Sequence, residues 1–152
     1  MSTSLLLTGA DGFTGQHFRE AATQQGYNVY ALQSDLNSPG ELESELSGRS
    51  FDHVVHLAAI SAVTHADELA LYRVNLFGTL NLMQALVAQS AVSGNVLVAS
   101  SANIYGNAAQ SPVTEAARPA PVNHYAMSKL AMEHMLAQYR PRLSLQVARP
   151  FH

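Results

Sequence analysis

The 152 residues carry 47% hydrophobic and only 12% charged side chains, with a net charge of −3 and no basic run, which speaks against a nucleic-acid or anionic-membrane partner. There is no cysteine, so disulfides and thiolate metal sites are excluded. The length suits one domain with a sizeable core, no apolar run reaches membrane-spanning length, and the cysteine-free composition fits a reducing cytoplasm.

Residues 4–7 read as a short buried strand that runs into Thr8-Gly9-Ala10-Asp11-Gly12-Phe13-Thr14-Gly15. A helix follows over residues 13–25, with Gly26 as its stop. Strand, glycine-rich turn and helix form the context of a dinucleotide fingerprint. In that reading Gly9 allows the tight turn, Gly12 lets the backbone approach a pyrophosphate, and Gly15 lets the helix lie close on the sheet. The N–H groups at the helix start, around Phe13 and Thr14, suit an anion.

The second strand covers residues 28–32. A carboxylate at its end would serve an adenine ribose in an NAD site, but Gln33-Ser34 stands there and Asp35-Leu36 follows at once. Asp35 is either the ribose ligand or a residue beside the adenine, the second being preferred. A vestigial sixth strand is expected near it. The missing acidic residue at Gln33 leaves NADP(H) slightly favoured over NAD(H), although no arginine lies close in sequence to clamp a 2′-phosphate. Ser38 caps a short helix that begins at Pro39 and runs to about residue 47. The next strand, 51–57, ends in His56-Leu57-Ala58-Ala59, whose small residues let a backbone pass near a cofactor. His56 reads as a core histidine, and the seven histidines show no metal spacing.

A long helical pattern covers 66–89. Asn75 lies inside it and requires a polar partner, which the loop at the strand ends can supply. A strand at 95–99 leads to Ser100-Ser101-Ala102-Asn103-Ile104-Tyr105-Gly106, placing hydroxyls where open α/β sheets bind ligands. A proline-containing loop, 107–121, has the length of a substrate loop. Asn123 then caps a helix carrying Tyr125 and Lys129, four residues apart and on one face. Lys129 is the chain's single lysine, and an ammonium beside a phenol favours the phenolate. A last strand covers 143–148, before Arg149-Pro150-Phe151-His152. The whole reads as α/β: a single Rossmann-type doubly wound parallel sheet.

These motifs, in this order, resemble the extended short-chain dehydrogenase/reductases, the NAD-dependent epimerase/dehydratase group. The likeness rests on the three-glycine turn, Asp35-Leu36, His56-Leu57-Ala58-Ala59, Asn75 with Gly78-Thr79, Ser100-Ser101 with Tyr105-Gly106, Tyr125 with Lys129, and Arg149-Pro150-Phe151. The short link after the second strand, the run 75–82 and the ending 148–151 resemble the branch that reduces the 4-keto group of a GDP-4-keto-6-deoxy-hexose.

The resemblance implies an NAD(P)-dependent nucleotide-sugar oxidoreductase with Ser101, Tyr125 and Lys129 as catalytic residues. It implies cofactor contacts from Gly9, Gly12, Phe13, Thr14, Gly15, Asp35, Leu36, Leu57, Ala58, Ala59, Asn75, Tyr125 and Lys129. It implies substrate contacts from Ser61, Ser101, Asn103 and Tyr125, and a homodimer through the long helix and the Tyr125 helix. Asn103 stands where 4,6-dehydratases of the group carry a carboxylate base, which argues against dehydration and leaves reduction or, alternatively, UDP-sugar 4-epimerisation. His152 takes the place of the family's asparagine. The family continues from there into a smaller substrate domain, so residues 1–152 are expected to be the cofactor-binding half. A non-catalytic nucleotide-binding fragment is the competing reading.

Overall fold

The strands of a parallel sheet covered on both faces are apolar on both sides, and this pattern governs the computed structural model, which describes residues 1–151. Strands β1 (Ser4–Thr8), β2 (Asn28–Ala31), β3 (His53–His56), β4 (Asn95–Ala99) and β5 (Ser144–Ala148) form one sheet of order β2-β1-β3-β4-β5. Every neighbouring pair is parallel. Side chains alternate between faces. Leu5, Leu7 and Val55 pack with Phe18 and Leu97 on one side of the sheet. Leu6, Val54, Val96, Val98 and Leu145 join the larger cluster on the other.

Helix α1 (Phe13–Gln24) contributes Phe18 to the first cluster. Helices α2 (Pro39–Leu46), α4 (Thr79–Ala88) and α5 (His124–Leu136) send Leu42, Leu46, Leu82, Met83, Leu86, Met132 and Leu136 into the second. The strand order reverses direction at β1, between β2 and β3. Ligands of open α/β sheets bind outside the carboxyl ends of the strands at such a switch point.

The structure corrects three local expectations. No strand forms near Asp35: residues 35–38 make a turn, closed by Asn37 N–H on the Asp35 carboxylate at 2.8 Å and Ser38 N–H on the Asp35 carbonyl at 2.9 Å. Ser38 stands at the N-cap of α2 but makes no side-chain capping bond, so Pro39 and Glu41 mark that helix start instead. The long helix is not uniform. α3 (Glu68–Tyr72) passes into a π-helical turn, Arg73–Gly78, before α4 begins. Such wide turns inside helices are frequent at functional sites, and Asn75 lies in this one. The expectation for His152 falls outside the described residues.

Candidate active site

The glycine-rich turn leaves β1 and at once meets the exit of β3. A methyl group on Gly9 would lie 2.6 Å from the Ala58 nitrogen, and Gly9 has φ +72°, so two independent constraints require glycine. A methyl group on Gly15 would lie 1.8 Å from the Gly9 carbonyl oxygen, because α1 is folded directly onto the turn. Gly12 is different. A methyl there would touch only the Gly9 carbonyl, at an ordinary 3.4 Å, so the fold itself does not demand glycine.

Gly12 is also the N-cap of α1. No side chain caps the helix and no acidic residue occupies its first turn. Phe13 and Thr14 are exposed there. An uncapped helix start with an unfilled Cβ position above it fits an anionic group, and a dinucleotide's pyrophosphate is the right size and charge.

Below the turn runs a chain of buried polar groups whose proton positions follow from their partners. The Thr79 hydroxyl donates to the Asn75 carbonyl at 2.9 Å, so its oxygen accepts from His56 Nε2–H at 2.8 Å. His56 Nδ1 then accepts from the Thr8 hydroxyl at 2.6 Å, and the Thr8 oxygen accepts from Ala58 N–H at 3.1 Å. Burial, helped by the charge of Lys129, pushes the His56 imidazole down to about 3, so it stays neutral. As expected, His56 is a core histidine.

Asn75 meets the loop after β3 as expected. Its Oδ1 accepts from Ile60 N–H at 2.9 Å, and its Nδ2 donates to the Ile60 carbonyl at 3.0 Å. The same Nδ2 donates to Ser128 Oγ at 3.1 Å. The Ser128 hydroxyl donates to the Tyr125 carbonyl at 2.7 Å, so the π-helical turn is fastened to α5.

Asn123 caps α5, accepting Ala126 N–H at 2.8 Å. Tyr125 and Lys129 are both buried. Lys129 Nζ donates to the Ala99 carbonyl at 3.0 Å, which brings the ammonium to the end of β4, next to Ser100-Ser101. Burial pushes the Lys129 ammonium down to about 8, against the opposing pull of Glu133. Ser101 Oγ accepts Asn103 N–H at 3.1 Å and caps a short 3-10 turn, Ala102–Tyr105. The Ser100 hydroxyl is buried without a hydrogen-bond partner among the described residues. Arg149 locks this end. It holds Glu133 of α5 through Nη2 at 2.6 Å and the Tyr105 hydroxyl through Nη1 at 2.6 Å.

The structure therefore draws together the glycine turn with Leu57-Ala58, Asn75 with α5, and Lys129 with the start of the Ser101 segment. It does not draw in every candidate. Asp35 is an exposed turn residue with its carboxylate on Asn37 N–H. Leu36 is buried against the α2 and α4 side chains. Ser61 lies exposed beyond Ile60, and Ala59 and Asn103 are half-buried.

The structure also shows a residue that sequence reasoning passed over. Glu45 of α2 reaches the end of β2: its Oε1 accepts the Tyr30 hydroxyl and Gln33 N–H, each at 2.9 Å. Its Oε2 accepts Ser34 N–H at 2.7 Å and the Ser34 hydroxyl. Burial raises this carboxyl, but the donors from Ser34, Gln33 and Tyr30 outweigh it, and the net value lies below the usual carboxylate range. The only signal in the sequence was a charged residue in the last turn of an amphipathic helix.

A crevice at a topological switch point, with an open helix start and a buried Tyr-Lys helix, defines a dinucleotide-binding α/β protein. A model of the NAD dependent epimerase/dehydratase family matches residues 5–152, and the chain belongs to that family. It is 35% identical to GDP-6-deoxy-D-talose 4-dehydrogenase of Aggregatibacter actinomycetemcomitans, over 97% of this chain and 52% of the relative. It is 38% identical to GDP-6-deoxy-D-mannose reductase of Pseudomonas aeruginosa, over 100% of this chain and 53% of the relative. Among solved structures, RMD of Pseudomonas aeruginosa in complex with NADPH superposes with a TM-score of 0.89 at 36% identity, over 100% of this chain and 53% of that one. UDP-glucose 4-epimerase of Brucella ovis in complex with NAD superposes with a TM-score of 0.87 at 27% identity, over 99% of this chain and 51% of that one. The chain thus spans about half the length of the curated relatives it matches.

Proposed function

We propose that this chain is the pyridine-dinucleotide-binding part of a cytoplasmic nucleotide-sugar oxidoreductase that reduces the 4-keto group of a GDP-4-keto-6-deoxy-hexose. The observation that carries the reading is the placement of Lys129. It is buried, one turn from Tyr125, and bonded to the Ala99 carbonyl beside Ser101. The two GDP-sugar relatives support the substrate class.

In this reading Gly9, Gly12 and Gly15, with the N–H groups of Phe13 and Thr14, receive the pyrophosphate. Leu57, Ala58 and Ala59 line the cofactor's path, and Asn75 holds that loop in place. Asp35 and Leu36 lie toward the adenine side. The bound nicotinamide supplies hydride exchange with the sugar carbon. Tyr125 exchanges the proton with the sugar oxygen. Lys129 uses one of three donors on Ala99, which leaves two for the ribose and for charge on the Tyr125 oxygen. Ser101 accepts its capping bond, so its own O–H proton is free for the same sugar oxygen. Ser61 and Asn103 flank the sugar. A homodimer belongs to the proposal, since Leu69 and Phe77 on the long helix, Met127 on α5 and Val122 just ahead of it are exposed.

Incubation with a GDP-4-keto-6-deoxy-hexose and reduced dinucleotide tests the reading, through loss of nicotinamide absorbance and appearance of the 4-hydroxy sugar. Slow turnover is expected from a chain of half the relatives' length. Tyr125→Phe is expected to abolish it while dinucleotide affinity stays within about threefold. Failure of both NADH and NADPH to bind would remove the reading. A UDP-sugar 4-epimerase is the second reading, favoured by the likeness to the Brucella protein. It would interconvert UDP-sugars with no net loss of reduced dinucleotide. The choice between NADP(H), favoured by Gln33 alone, and NAD(H) turns on the end of β2.

A further inference from the structure

The C-terminal end of the second strand is where a dinucleotide fold meets the adenine ribose, and a carboxylate there selects the free 2′-hydroxyl. At that place the chain has Gln33, yet the position is not without charge. Glu45 arrives from the last turn of α2 and closes on Gln33 and Ser34. A carboxylate at a helix C-terminus opposes the helix dipole. It persists here because four donors converge on it: the Tyr30 and Ser34 hydroxyls and the N–H groups of Gln33 and Ser34. A carboxylate has about four acceptor positions, so this one is fully engaged.

Two consequences follow for any group entering at the strand end. The backbone N–H groups of Gln33 and Ser34 and the Ser34 hydroxyl, the donors at the strand end itself, are already taken by Glu45. The residual charge is negative, and Glu41, exposed one turn earlier on α2, adds to it. The shallow depression over this point is lined by Gln33, Ser34, Gly40, Glu41, Ser44 and Glu45, none of them basic. The nearest arginine to the cluster, Arg49, is turned to other work. Its Nε donates to the Glu45 carbonyl at 2.8 Å, and its guanidinium lies 4.5 Å over the Tyr30 ring.

We propose that Glu45 is the specificity-determining residue for the cofactor. Through Gln33 and Ser34 it makes the adenine-ribose end of the crevice accept a 2′-hydroxyl and reject a 2′-phosphate, so the chain selects NAD(H). This reverses the preference drawn from Gln33 alone, and it rests on the dinucleotide reading above. A neutral hydroxyl meets a negative rim at little cost. A 2′-phosphate meets like charge at short range with no basic side chain in the lining to pair it.

The test is binding rather than turnover: titration of the 152-residue chain with NADH and NADPH, followed by nucleotide fluorescence and calorimetry. NADH is expected to bind about tenfold or more tightly than NADPH at low salt. Glu45→Gln preserves the shape and removes the charge, and the gap is expected to close to within about threefold, chiefly through tighter NADPH binding. Because the repulsion is electrostatic and half-exposed, added salt is expected to narrow the gap in the unmodified chain as well, which decides the matter if the variant does not fold. Equal affinities, or tighter NADPH binding that Arg49→Gln abolishes, would overturn the role of Glu45 and leave the dinucleotide reading standing. No binding of either nucleotide would overturn both.

Discussion

The turn after β1 and the turn after β2 leave neighbouring strands, and both carry backbone N–H groups at a strand's C-terminal end. After β1 those groups open onto an uncapped helix start with no acidic residue in its first turn. After β2 the N–H groups of Gln33 and Ser34 are both taken by the Glu45 carboxylate. The same backbone chemistry therefore invites an anion at one turn and refuses it at the next. What differs is whether a side chain has arrived first, and that is decided by tertiary contact rather than by the turn's own residues.

The contrast can be broken most violently at Gly15. Gly15→Ala places a methyl inside the Gly9 carbonyl, and a loss of more than about 3 kcal/mol in unfolding free energy is expected by urea denaturation. A variant of unchanged stability would show that the turn relaxes and is not built against α1. Gly12→Ala separates ligand from fold. Stability is expected to fall by less than about 1 kcal/mol, since only the N-cap is altered. Dinucleotide affinity is expected to drop by about tenfold or more, because in the proposed reading the methyl occupies the approach of the pyrophosphate. Unchanged affinity in calorimetry would remove the β1 turn from the binding site.

The smallest expected effect lies in the acid limb of the stability profile, measured as melting temperature against pH. Glu45 has a folded value below its ordinary one. Its contribution is complete above the ordinary carboxylate range and disappears as pH falls through the folded value. His56 acts in a different window. As pH drops from 6.5 toward about 3 the unfolded chain takes up a proton that the buried imidazole refuses, and stability falls. Glu45→Gln is expected to flatten only the lower part of the limb. A variant whose whole profile matches the unmodified chain would mean that the β2 turn is not held by charge.

Much of this architecture was legible from spacing alone. The β1 strand, the glycine turn and α1 are contiguous, and each glycine announces a local constraint. Tyr125 and Lys129 sit on one helical face whatever surrounds them, and the Asn123 cap lies two residues ahead of the tyrosine. The π-helical turn was not legible, since an extra residue per turn hardly disturbs an apolar pattern and is held by Asn75 contacts with Ile60 and Ser128, distant in sequence. Glu45 escaped for a related reason. It lies 12 residues beyond Gln33, and only the fold of α2 against β2 brings the two together. The Ser38 cap was misread because residue type specifies a preference, while the bond requires a backbone geometry that this turn does not adopt.

The Asn75 amide pairs with both the N–H and the carbonyl of Ile60, imitating a neighbouring strand at a single residue. Residues 61–64 directly beyond it are exposed. In deuterated solvent the Ile60 amide should therefore exchange on the slow timescale of the sheet, while the amides just after it exchange within the dead time. A lone protected proton at the head of a fast-exchanging loop would report on the packing of α5 against the π-helical turn, and it would do so without any ligand or chemical step.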